Sequence, residues 1–216
     1  MDIEQFAARL DALRVVPVVT IDDARDAAGL AAALTGGGLP IAEITFRTDA
    51  AAEAIAAIRA AQPALLVGAG TVLDVATADR ALAAGAEFIV APGLNPSVVE
   101  HCLARGVAVI PGVATPTEIE AALAMSIGLM KFFPAEAMGG VRYLSAFAAP
   151  YRGIRFMPTG GINPATWPRT SRWPTWLRVA GRGSPARRQS ASSAGMRSRG
   201  WPLKPSRSPA GRAPSG

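Results

Sequence analysis

Apolar, β-branched runs alternate with alanine-rich amphipathic stretches through the first 165 residues of this 216-residue chain. Seven runs read as strands, at residues 15–20, 41–47, 65–71, 88–93, 108–112, 129–134 and 155–161. They start 20 to 26 residues apart, the length of a strand, a helix and two connections. Between them the helical pattern covers 22–34, 49–61, 74–84, 96–104 and 116–125. Asp22, Asp49, Asp74, Asn95 and Thr115 read as N-caps, and Gly85 and Gly106 as helix stops. Nearly all-apolar strands separated by helices imply a parallel sheet covered on both faces. Several strands end in Gly, Pro or Thr beside a polar residue, as in EITFRT, VGAGT, VAPG, VIPG, KFFP and MPTGG. Such residues gathered at strand C-termini favour an α/β fold of the (β/α)8 TIM-barrel type over a doubly wound sheet. Seven strands leave the barrel one unit short, and the eighth should begin near residue 165.

Lys131 is the only lysine in residues 1–165, and it stands inside the apolar run LMKFFP. A lysine there reaches solvent, pairs with a carboxylate, or has a use that offsets its desolvation. One such use is to supply the neutral amine that forms an imine with a ketone. Glu43, Thr45 and Arg47 alternate along one run and share a face that can point into a barrel. Glu43 suits a general acid/base and Arg47 a bidentate carboxylate clamp, with an internal Glu43–Arg47 ion pair as the alternative. Thr159, Gly160 and Gly161 end the seventh strand ahead of Ile162, Asn163 and Pro164, which read as a helix start. Backbone N–H groups at such a junction favour phosphate, although a Gly-Gly pair also makes a simple turn. The GAGT run at 68–71 has neither the GxGxxG spacing nor the lysine of a P-loop. His101 and Cys102 fall on a helix and read as structural.

Composition narrows the function classes. Half the residues are hydrophobic, enough for a sizeable core. No apolar stretch of about 18 residues is free of charges and breakers, so no membrane span is expected. The acidic, amphipathic start MDIEQFAARL does not suit a secretory signal, and a cytoplasmic location is expected. One cysteine excludes an intramolecular disulfide. One histidine leaves few ligands for zinc, while carboxylate-bound magnesium stays open. The net charge of +6 hides a division. Residues 1–165 hold 11 basic and 16 acidic side chains, whereas 166–216 hold 11 basic and no acidic ones. That tail also has all four tryptophans, seven prolines and nine serines. The chain thus divides into a barrel domain, 1–165, and a basic tail, 166–216, expected to be disordered.

Together the motifs EITFRT, GAGTV, FIVAPG, IPGVATPTE, KFFPAE and PTGGI resemble the 2-keto-3-deoxy-6-phosphogluconate (KDPG) and 4-hydroxy-2-oxoglutarate (KHG) aldolases, from about residue 15 to 164. The resemblance implies a class I, metal-independent lyase on a (β/α)8 barrel, needing no cofactor and assembling as a homotrimer. It implies a Schiff-base role for Lys131 and a proton-shuttle role for Glu43. Arg47 and Thr71 would hold the pyruvate carboxylate, Pro92 and Phe133 would line the pocket, and Gly160 and Gly161 would bind the phosphate, with Thr159 beside them also read as substrate-binding. The implied partner is a small phosphorylated keto acid, with no specific nucleic acid and no membrane.

Beyond Pro164 this pattern stops. Trp-Pro, encoded TGG-CCN, occurs at Trp167, Trp173 and Trp201, and shifting the frame back one base gives Leu, Val or Met followed by Ala. The tail therefore reads as the product of a frameshift near codon 165. An irregular tail would replace the eighth unit and leave the edges of strands 15–20 and 155–161 open, unless a short segment at 177–180 fills the gap. Two other readings follow from the tail: a crippled barrel fragment, or a polyanion-binding protein, although no RNA-binding motif or amphipathic period supports the latter.

Overall fold

The computed structural model describes residues 3–163 and 180–183. All of them belong to one compact unit spanning Met1–Pro185. Helix α1 (Ile3–Leu13) precedes strand β1 (Val16–Val19), and the chain then alternates as expected. It runs α2 (Ala27–Gly36), β2 (Ile41–Thr45), α3 (Ala51–Ala61), β3 (Leu66–Gly70), α4 (Val75–Ala83), β4 (Phe88–Val90) and α5 (Pro96–Ala104). Next come β5 (Ala108–Ile110), β6 (Gly112–Val113), α6 (Pro116–Ala124), β7 (Leu129–Phe132), α7 (Gly140–Ser145), β8 (Arg155–Pro158) and β9 (Ala180–Gly183). The fold is an α/β TIM-barrel-like arrangement of parallel βα units, as the alternation implied. The strands form two arcs, β5-β4-β3-β2-β1-β9 and β6-β7-β8. Pro111 separates β5 from β6, because it has no N–H to carry the ladder across.

Side chains sort by the period of two. Leu129 on β7, Ile41 on β2, Leu66 on β3 and Met157 on β8 join one cluster inside the strands. Met130, Phe132, Ala42, Ile44, Val67, Ala69 and Phe156 join the other, beneath the helices. Helix α1 belongs to the inner cluster through Phe6, Ala7 and Leu10, and the Phe6 ring lies 4.6 Å from that of Phe88. Its amphipathic face therefore closes the end of the barrel at which the strands begin.

Helix starts follow the cap chemistry at three of five positions. Asp74 accepts from the Thr77 N–H, Asn95 from Ser97, and Thr115 forms a capping box with Glu118. Asp22 and Asp49 are not caps: Asp23 caps a short 3-10 turn before α2, and Ala50 precedes α3 without a side-chain cap. Gly85 and Gly106 stop α4 and α5 at positive φ of 98° and 65°.

The tail corrects one expectation. Ala180–Gly183 is not irregular but a strand, parallel to β1 and in register from Val16↔Ala180 to Val19↔Gly183. The edge of β1 is thus covered. The reason is local: AGRG has no proline, so each of its residues can donate and accept in a ladder. The segment lies three residues beyond the start of the one the sequence singled out. Counting β5 and β6 as one interrupted strand, β9 is the eighth position. Among the described residues, β8 has a strand partner on one side only. The expected boundary at residue 165 and the rest of the tail lie outside the described residues.

Candidate active site

The C-terminal ends of the strands converge on a cavity of about 450 Å³. Eight of the nine residues assigned a catalytic or substrate-binding role from the sequence line it: Arg47, Thr71, Pro92, Lys131, Phe133, Thr159, Gly160 and Gly161. Glu43 is the exception. It sits below the lining, fully buried, and its Oε1 accepts from Lys131 Nζ at 3.4 Å.

The strand pattern explains these positions. Lys131 follows Leu129 by two on β7, and Glu43 follows Ile41 by two on β2, so both side chains enter the barrel above its apolar layer. Lys131 is only 5% exposed, and its Nζ lies 5.5 Å from the centre of the Phe133 ring. The pairing with a carboxylate that the sequence left open is thus made, by the same amine that lines the cavity. The Glu43–Arg47 alternative is not: β2 ends at Thr45, and Arg47 lies beyond it on the exposed rim. There its Nε donates to Thr71 Oγ1 at 3.2 Å. Thr45 stays buried, and its hydroxyl meets that of Thr20 at 2.8 Å.

Burial pushes the Glu43 carboxyl above the ordinary carboxylate range, opposed by Lys131 first and by Arg47 last. Its Oε2 is buried with no hydrogen-bond partner, which penalises a full carboxylate more than a protonated acid. A proton can therefore rest on this carboxyl beside the amine. The charged side chains in the cavity wall, Arg47 and Lys131, are both basic, a match for an anionic ligand. At the far wall Gly160 and Gly161 adopt φ of 99° and 78°, and a β-carbon on Gly161 would crowd Cβ of Glu136. The Thr159 and Gly160 carbonyls accept from the Ala135 and Glu136 N–H groups at 2.7 and 3.0 Å, tying this turn to the segment after KFFP. The helix start read at Ile162-Asn163-Pro164 lies at the limit of the described residues.

The role of the GAGT glycines escaped the sequence reading. Gly68 and Gly70 alternate on the inner face of β3, where they make room for the Phe88 ring and the Glu43 carboxyl. The signal was there: glycines two apart in an apolar strand mark a face that something else fills. Gly70→Ala is expected to displace Glu43, since the added carbon would overlap its carboxyl. Stability should fall by about 1–3 kcal/mol, as in other overpacked interiors. Turnover should fall with it, and unchanged melting and kinetics would refute the packing argument.

His101 and Cys102 lie on α5, away from the cavity lining. His101 Nε2 meets Asp79 at 2.7 Å and its Nδ1 meets Arg105 at 3.0 Å. Burial pushes the Cys102 thiol up to about 11, unsuited to a nucleophile. Among the described residues, no group of three or more His, Cys, Asp or Glu could hold a metal ion, and no helix is long and apolar enough to cross a membrane.

The KDPG and KHG aldolase family model matches residues 6–186. The 2-dehydro-3-deoxy-phosphogluconate aldolase of Treponema pallidum is 56% identical over 154 residues, which cover 71% of this chain and 73% of that protein. Two solved structures have the same fold. One is the KDPG aldolase of Zymomonas mobilis with 3-phosphoglycerate, at TM-score 0.75 and 41% identity over 80% of this chain and 84% of that one. The other is the KDPG aldolase of Legionella pneumophila, with pyruvate captured as a covalent carbinolamine, at TM-score 0.78 and 35% identity over 81% and 85%. A buried lysine beside a buried carboxyl, at the strand ends of a barrel matched at this identity, agrees with the motifs that first pointed there, and the chain belongs to the KDPG and KHG aldolase family.

Proposed function

We propose that this protein is a class I aldolase that cleaves KDPG to pyruvate and glyceraldehyde 3-phosphate, and that also accepts 4-hydroxy-2-oxoglutarate. One observation carries the reading: Lys131, buried in the cavity wall, has its Nζ 3.4 Å from the buried carboxyl of Glu43. The amine of Lys131 attacks the C2 ketone, and Glu43 relays protons as the carbinolamine loses water to form an iminium ion. Glu43, directly or through a water, then takes the C4 hydroxyl proton. The C3–C4 bond breaks, and its electrons flow to the iminium, leaving an enamine and releasing glyceraldehyde 3-phosphate. Protonation of the enamine at C3 and hydrolysis of the resulting imine free pyruvate and Lys131.

Arg47 and Thr71 hold the substrate carboxylate, Pro92 and Phe133 flank the reacting carbons, and Thr159 with Gly160 and Gly161 receives the phosphate end. The imine is the electron sink, so the reaction as written draws on no metal or cofactor. The enzyme works in the cytoplasm, and as a homotrimer; the trimer rests on the family resemblance.

The test is release of pyruvate from KDPG and from 4-hydroxy-2-oxoglutarate by the purified full chain. Turnover with a higher kcat/KM for the phosphorylated substrate is expected. A folded sample that releases pyruvate from neither would instead be the crippled barrel allowed by the altered tail.

A further inference from the structure

We propose that Asn95 is a positioning residue that holds Thr71 in place for the substrate carboxylate. The inference rests on the role given above to Thr71 and extends it to a residue outside the cavity lining.

Thr71 adopts a φ of 59°, a left-handed conformation that a β-branched side chain takes only when its surroundings enforce it. Its neighbours in sequence fix the segment on both sides. Val72 is buried, and its N–H donates to the Val90 carbonyl at 3.3 Å. Asp74 caps α4 by accepting from the Thr77 N–H at 2.7 Å. Between them the Leu73 side chain is 58% exposed and adds little packing. Its carbonyl, however, accepts from Asn95 Nδ2 at 2.9 Å. Asn95 thus ties the strained turn after β3 to the start of α5, 22 residues on.

The same amide caps α5. Oδ1 of Asn95 accepts from the Ser97 N–H at 3.1 Å while Nδ2 faces Leu73. These partners agree with only one orientation of the amide, because a flipped group would set donor against donor and acceptor against acceptor. The two roles are chemically separable. Asparagine can cap and tether, whereas aspartate and serine keep a cap acceptor and lose the reach or the donor needed by the Leu73 carbonyl. Freed of the tether, Thr71 can relax, which moves its hydroxyl away from Arg47 Nε and from the cavity.

Asn95→Asp and Asn95→Ser should therefore retain a melting temperature close to that of the unsubstituted chain, as capped helices do. Both should raise KM for the keto acid by about 3- to 10-fold with a smaller change in kcat, the size expected from one lost hydrogen bond. Hydrogen exchange at the Val72 amide should accelerate in both, and this readout does not depend on turnover. A KM raised by Asp alone would reflect added charge and overturn the tether. So would unchanged KM and unchanged Val72 protection in the pair. If the unsubstituted chain itself released no pyruvate, the aldolase reading would fail, and Val72 exchange would still decide whether Asn95 holds the turn.

Discussion

Borohydride added to the protein with pyruvate is expected to trap an adduct of about 72 Da on Lys131, the mass of a reduced pyruvyl imine. Lys131 is the only lysine of residues 1–165, so peptide mapping reads the result against one competitor, Lys204 in the tail. The physical basis is its placement. An amine 5% exposed, with one carboxyl oxygen 3.4 Å away and an open cavity in front, meets a ketone without first shedding a full shell of water. Lys131→Met should abolish both trapping and turnover while leaving a folded barrel, because the apolar side chain fits the layer above Leu129. An adduct on Lys204, or none in a folded sample, would remove the imine mechanism.

Glu43→Gln is expected to slow turnover by roughly 10²–10⁴-fold, the usual range for loss of a general acid/base. Glutamine preserves the size of the side chain under Gly70 and removes only the titratable proton. The same variant tests the electrostatics. Burial holds the Glu43 carboxyl protonated to higher pH in the folded state than in the unfolded one. Its contribution to stability is therefore fully present below the ordinary carboxylate range and is lost as pH rises towards its raised folded value. The unsubstituted chain should lose stability relative to Glu43→Gln over that interval, measured by denaturant unfolding at a series of pH values. A gain relative to the variant would mean that Glu43 is held as a carboxylate by Lys131. Unchanged turnover in a folded variant would reduce Glu43 to a structural partner of that lysine.

Much of the architecture was legible because burial on both faces imposes a simple code on a strand. The seven apolar runs became β1 to β8, with one run divided at Pro111. Proline was visible there, but whether it ends a strand or merely interrupts one depends on the neighbours, and β6 resumes pairing with β7 at Gly112↔Lys131. Lys131 and Glu43 stood out for a related reason: charge inside an apolar run costs free energy, so its presence calls for a use. The caps at Asp74, Asn95 and Thr115 were equally local. Asp22 and Asp49 misled because the same residue types also begin turns, and here the helices start later.

The alternation of the sequence by itself determined the parallel βα architecture, and its motifs the family and the residues of the cavity, since hydrophobic period and lone buried charges act within a few residues of chain. Only the tertiary structure decided partnerships across long separations. It brought Glu43 to Lys131, 88 residues apart, in preference to Arg47, four residues away, because the barrel turns both side chains inward while β2 ends before Arg47. It made Gly70 the space for a carboxyl, and Asn95 the anchor of Thr71's turn. It also set Ala180–Gly183 beside β1, three residues beyond the start of the segment that the sequence offered for the gap. A strand edge recruits backbone, and backbone N–H and C=O groups are nearly the same whatever the side chains of the segment that supplies them.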